Sequence, residues 1–205
     1  MRALPTDEQA AAEVRSWAGS SDDTPLDVAG LDLTGADLTG ADLAGGLFTE
    51  AVLRQVPLSG ADLYRANLEG ADLRGADLSE ASLVKAVLDE AVLRGARFDR
   101  ANLGSASLWG VDAREAGFRG ASFDGASLLR TVLTGADLSE ASVSETSFKV
   151  VLDDRTVVTG LSGTVFGPAT VTEGEESREL AGAELERWLN DRGARIEVLA
   201  PKRPG

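Results

Sequence analysis

Carboxylates are the one reactive group that this chain carries in quantity: 34 Asp and Glu against 20 Lys and Arg in 205 residues. Acid–base catalysis needs two such groups to converge with separated pKa values. Calcium binding needs several oxygens gathered on one loop. Neither pattern is visible. The pairs Asp22-Asp23 and Asp89-Glu90 fall in segments that read as loops or corners, where solvated charge is the ordinary state. Other acids recur singly, as at Asp37, Asp42, Asp62 and Asp77. The bases keep a period too, with Arg54, Arg74, Arg94 and Arg114 twenty residues apart.

The chain has no Cys and no His. Cys nucleophiles, Cys/His zinc sites and imidazole acid–base pairs are thereby excluded. A Gly-x-x-x-x-Gly-Lys phosphate loop is also missing. No residue is nominated as catalytic, cofactor-binding or metal-ligating, and a protein that is not an enzyme and needs no cofactor is expected. The lack of thiols suits a reducing compartment. Asp7, Glu8 and Glu13 interrupt any apolar run near the start, so a secretion signal is not expected. No run approaches the roughly eighteen apolar residues of a membrane span, and a cytoplasmic protein without membrane contact is expected. A formal net charge of −14 disfavours direct binding to nucleic acid or anionic lipid.

The spacing of the charges follows from a stricter rule. Twenty-five five-residue units run without a slip from Leu26 to Val150. Every fifth residue from Val28 to Phe148 is apolar: seventeen Leu, five Phe, two Val and one Ala. Two positions earlier the residue is Ala in eighteen of the units. A period of five matches neither a helix nor a flat strand; it fits a chain that turns a corner in each unit and sends two residues inward.

The pattern Ala-Asp-Leu-x-Gly, as at Ala36–Gly40 and again at Ala136-Asp137-Leu138, resembles the pentapeptide-repeat family over about 60% of the chain. The resemblance implies an all-β solenoid: a right-handed quadrilateral β-helix of about six coils, with four units per coil. Side chains twenty apart then stack. Phe98 and Phe118 fall on one inner column, and Phe123 lies across the coil from Ala113, the one small central residue. At about 4.8 Å per coil the tower is roughly 30 Å tall. Gly ends twelve units and polar residues most of the others, so two kinds of turn are expected.

Three regions follow. Residues 1–25 hold a short helix from about Asp7 to Ala18, with Thr6 as N-cap and Gln9 reaching back, and Trp17 plugging the first coil. Residues 26–150 form the β-helix, its register ending where Asp153 takes the next central position. Residues 151–205 form a mixed α/β C-terminal cap: extended segments, a hairpin around Glu173-Gly174-Glu175-Glu176, a helix over Ala183–Arg192, a strand over Arg195–Leu199 and a loose tail. Ala181, Leu185, Trp188 and Leu189 share one helix face. Leu185, Trp188 and Leu189 then serve either as a cap or as the seam of a two-fold homodimer, which relatives make at this end; monomer and dimer both stay open.

Function must lie on the outer surface. Stacking places Trp109 above Leu129's level in one outward column, with Leu47 and Val87 on the same face, and Val52, Val92 and Val132 in a column on the next. These seven form a candidate surface for a protein partner, either free or covered by the terminal regions. The resemblance also implies an alternative, since some relatives mimic DNA, bind DNA gyrase and modulate it or protect it from drugs and toxins. Residues 26–150 carry nineteen acids and eleven bases, a net of −8. Duplex DNA carries about eighteen charges over a similar length. The Arg54, Arg74, Arg94, Arg114 ladder interrupts the acidity further, which leaves a one-sided mimic near Asp37, Asp42, Asp62 and Asp77. A protein-interaction scaffold is the primary expectation.

Overall fold

The computed structural model describes residues 3–20 and 24–200; Asp22-Asp23 and the expected tail beyond Ala200 lie outside them. The chain is a β-helix solenoid. Parallel bridges join Leu47 to Asn67, Asn67 to Val87, Val87 to Ser107 and Ser107 to Ser127, so the chain meets itself every twenty residues. Each central residue and the small residue two before it point inward: Leu73, Leu93, Ala71 and Ala91 are all 0% exposed. The rings of Phe98 and Phe118 stack at 5.1 Å, as the twenty-residue register requires, and Phe123 meets Phe118 edge-on at 5.2 Å. Gly46 replaces the usual Ala before Phe48 because a Cβ there would sit 2.5 Å from the Phe48 ring.

The corners differ from expectation. From Gly30 to Glu145 one turn is used, not two. The central carbonyl accepts from the amide three residues on, as in Ala61 N–H to Leu58 O at 3.0 Å, and the residue between them that ends the unit has positive φ. That is a type II turn. Gly60 meets the requirement at no steric cost, but Glu80, Lys85, Glu90 and Arg100 adopt the same conformation, with φ from 59° to 61°. The hydrogen-bonded neighbours above and below impose one corner geometry on every unit and override the local preference.

Stacking does not stop at Val150. The short strands β1 (Thr131–Val132) and β2 (Thr146–Ser147) lead to β3 (Val150–Asp153), β4 (Ser162–Phe166) and β5 (Ala169–Glu173). Thr131 pairs with Val150, nineteen residues on, yet Asp137 pairs with Val157, twenty on. One residue is lost at the Lys149 corner and regained before Thr156, so Leu152 rather than Asp153 fills the core. Asp153 instead closes the enlarged corner, accepting from the Gly135 amide at 2.8 Å and the Thr156 hydroxyl at 2.8 Å.

Both ends are covered. Helix α1 (Glu8–Gly19) is capped by Asp7, not Thr6: the Asp7 carboxylate accepts from the Ala10 amide, while the Thr6 hydroxyl donates to the Thr34 carbonyl. Ala10, Ala11 and Val14 are buried, and Trp17 packs half-buried on the same core. At the other end β5 forms an antiparallel hairpin with β6 (Glu176–Leu180). Helix α2 (Ala183–Asn190) buries Leu185, Trp188 and Leu189, each 5% exposed or less. Ala181 lies before the helix and is exposed. The three buried side chains are thus occupied within one chain.

Strand β7 (Arg195–Leu199) runs parallel to β4 as the last rung. Its outer edge is closed by side chains of α2. Asn190 accepts from the Ile196 amide at 2.8 Å and donates to the Ile196 carbonyl at 3.0 Å, and Glu186 accepts from the Val198 amide at 3.0 Å. An open solenoid rung is a template for further strands. Replacing Glu186 and Asn190 together by Ala should therefore leave a cooperative fold that assembles end to end, measured as concentration-dependent growth in light scattering. Unchanged size up to millimolar concentration would show that these caps do not guard the edge.

Candidate interaction surface

Outward side chains occupy the residue before each central position and the two after it. In the consensus, the Asp before the Leu has a local task. The carboxylates of Asp37, Asp42, Asp62 and Asp77 accept from the amides two residues on, those of Thr39, Ala44, Tyr64 and Ser79, at 2.9–3.2 Å. These acids hold corners. They also divide between two outward columns. Asp42 bridges directly to Asp62, whereas Asp77 stands beside Pro57 and Arg97, in the column one unit earlier along the chain. The four do not form one patch.

The Arg ladder resolves into two clips. Arg54 and Arg74 both pair with Asp72, and Arg94 and Arg114 both pair with Asp112. The Arg74 guanidinium, at 2.6 Å, holds the Asp72 carboxyl at about 2, and the Arg114 guanidinium holds Asp112 at about 2. Asp32 instead accepts from the Thr34 amide. A carboxylate with a lowered native pKa adds stability at neutral pH, which is lost as pH falls from about 4 through about 2. Asp72→Asn with Asp112→Asn should lower the melting temperature at pH 7 and flatten its fall between pH 4 and pH 2. Parallel wild-type and variant curves across that window would remove the clips from the account.

The same clips correct the valine column. Val52, Val92 and Val132 do lie in one line, but Asp72 and Asp112 stand between them, and all three valines are half-buried. Leu47 and Val87 share their strip with Asn67 between them; Leu47 is 44% exposed and Val87 half-buried. Only Trp109 and Leu129 are both exposed and on successive coils, at 37% and 38%; the Gly110 amide beside Trp109 donates to the Leu129 carbonyl at 2.9 Å. No described residue of either terminal region covers them. The Arg130 guanidinium lies 5.3 Å from the Trp109 ring centre, a cation–π contact that orients the indole. Asp89 fixes the backbone beneath, accepting from the Trp109 amide at 2.9 Å and the Ser107 hydroxyl at 2.6 Å.

Sequence reasoning missed Tyr64 and Val157, which are 36% and 42% exposed. The unit phase alone would have found Tyr64, which occupies an outward position, whereas Val157 lies past the break in phase at Lys149. Among the described residues, no group of three or more acids could hold a metal, and no helix is long and apolar enough to cross a membrane.

A family model described as pentapeptide repeats, in eight copies, matches residues 32–70, 71–110 and 112–149, more than half of the chain. No curated protein matches. Among solved structures, a pentapeptide repeat protein from the thylakoid lumen of Arabidopsis thaliana is 30% identical, with a TM-score of 0.44, over 55% of this chain and 71% of that one. HetL, involved in heterocyst differentiation regulation in the cyanobacterium Nostoc sp. strain PCC 7120, is 27% identical over 74% of this chain and 90% of that one, with a TM-score of 0.28. QnrB1, a plasmid-mediated fluoroquinolone resistance protein, is 14% identical over 86% and 92%, with a TM-score of 0.34.

Proposed function

Because the chain belongs to the pentapeptide-repeat family, we propose that it is a non-enzymatic scaffold presenting a rigid surface to a protein partner. We read the tower as a right-handed quadrilateral β-helix of about six coils, a shape supported by the twenty-residue register and a turn every five residues. The observation that carries the functional reading is the adjacent, uncovered pair Trp109 and Leu129 on that frame. Exposed apolar side chains standing together, backed by an ordered backbone, are where binding energy concentrates.

The competing reading is a one-sided DNA mimic that binds gyrase. The division of Asp37, Asp42, Asp62 and Asp77 between columns and their use in turns weigh against it. A supercoiling assay with gyrase tests the choice. The scaffold reading expects no effect of the wild-type protein on supercoiling at low salt, and none after Arg54, Arg74, Arg94 and Arg114 are changed to Glu. Inhibition that strengthens in the Glu variant and weakens steeply with salt would establish mimicry instead.

A further inference from the structure

We propose that the strip carrying Trp109 is the seam of a weak two-fold dimer in which two copies of this chain lie side by side and antiparallel. The proposal rests on reading this strip as an interaction surface and names one occupant for it.

The strip changes chemistry along its length. Glu50, Glu69 and Glu90 are exposed on its lower coils, followed by Trp109 and Leu129, then by exposed Arg130 and Lys149. Among the described residues, none of these charged groups forms an ion pair, whereas the ion pairs of the repeat all lie on the strips of the Arg ladder and of Asp99. Charge of both signs, segregated to opposite ends of one strip, is self-complementary when a second copy runs the other way. Two-fold contacts require that property.

The register can be worked out. Glu90, Gly110 and Arg130 end successive units of this strip, and Glu69, Asp89, Trp109, Leu129 and Lys149 occupy the column beside them. A two-fold axis in the seam, crossing it at Trp109-Gly110, sets each level against the level equally far on the other side. Trp109 then faces Trp109 of the second copy. One coil away Glu90 meets Arg130, and two coils away Glu69 meets Lys149. By symmetry each pair occurs twice. Asp89 faces Leu129, but its carboxylate is already satisfied by Ser107 and the Trp109 amide. Ser107, Ser127, Ser147 and Gly110 keep the strip flat enough for close approach.

Five coils span about 20 Å and three outward residues about 10 Å. The contact is therefore smaller than the ~1,000 Å² of stable interfaces, and the net charge of −14 opposes it. Association should be on the order of 10–100 μM.

Two variants test the pairing. Glu69→Arg with Glu90→Arg makes all four pairing positions basic; Arg130→Glu with Lys149→Glu makes all four acidic. Arg100 and Glu80 already adopt the positive φ of Glu90 and Arg130, and Glu69 and Lys149 are exposed, so both variants are expected to keep a cooperative fold. In sedimentation equilibrium, the wild type should dimerise, each variant should do so at least tenfold more weakly, and an equimolar mixture of the two should recover wild-type association. A wild type monomeric at ~500 μM, or a dimer indifferent to both reversals, overturns the proposal. A monomeric wild type that still loses a captured partner on Trp109→Ala would sink the dimer alone and leave the scaffold reading standing.

Discussion

Leu73→Asp is expected to abolish folding. Leu73 is 0% exposed, and its neighbours on the inner columns, Leu53 and Leu93, are equally buried. No described polar side chain lies within this part of the core to receive a carboxylate. The variant gives up the several kcal/mol that a buried Leu contributes and adds several more for an unpaired charge. Together these approach the whole stability of a typical domain, about 5–15 kcal/mol. A solenoid compounds the loss, since each coil is stabilised only by its neighbours and one failed coil divides the stack. The expected result is insoluble protein, or soluble protein with no cooperative thermal transition; Leu93→Asp should behave alike. Native-like circular dichroism and a sharp melt would show that these side chains do not enter a closed core.

Phe118→Ala should leave a folded protein destabilised by about 3–5 kcal/mol, read from urea unfolding. Phe118 is the shared member of two ring contacts, stacked on Phe98 at 5.1 Å and edge-on to Phe123 at 5.2 Å. Its removal empties a phenyl-sized volume in the core, between rigid walls that cannot collapse inward without breaking the stacked bridges. A cycle with Phe98→Ala should show coupling of about 0.5–1.5 kcal/mol, beyond simple burial. A loss under about 1 kcal/mol would mean that the walls relax around the missing ring.

Most of the solenoid was legible from the period alone, because the inward positions repeat without a slip: Leu73, Phe98 and Phe118 could be assigned from their spacing. Corners were harder. Glu80 and Gly60 differ in intrinsic preference, and only the ladder that fixes both shows that they share one conformation. The continuation past Val150 was hidden for a related reason. A lost residue at Lys149, regained before Thr156, breaks the phase in sequence but not in space. At the surface, Trp109 and Leu129 were found by counting in twenties. The interruption of Val52, Val92 and Val132 by Asp72 and Asp112 was open to the same count. The tying of Asp37, Asp42, Asp62 and Asp77 to turn amides was not, because it depends on where each carboxylate points.

Capture from an extract of the source cell, comparing three baits, tests the central claim most directly: that this protein acts through the apolar Trp109–Leu129 surface and not through its acidity. Wild type, Trp109→Ala with Leu129→Ser, and a variant with Asp37, Asp42, Asp62 and Asp77 changed to Asn would be used at equal, verified fold content. The account predicts a partner retained by wild type and by the Asn variant and lost by the Trp109 variant. Retention by the Trp109 variant with loss in the Asn variant would contradict it and place function in the charge.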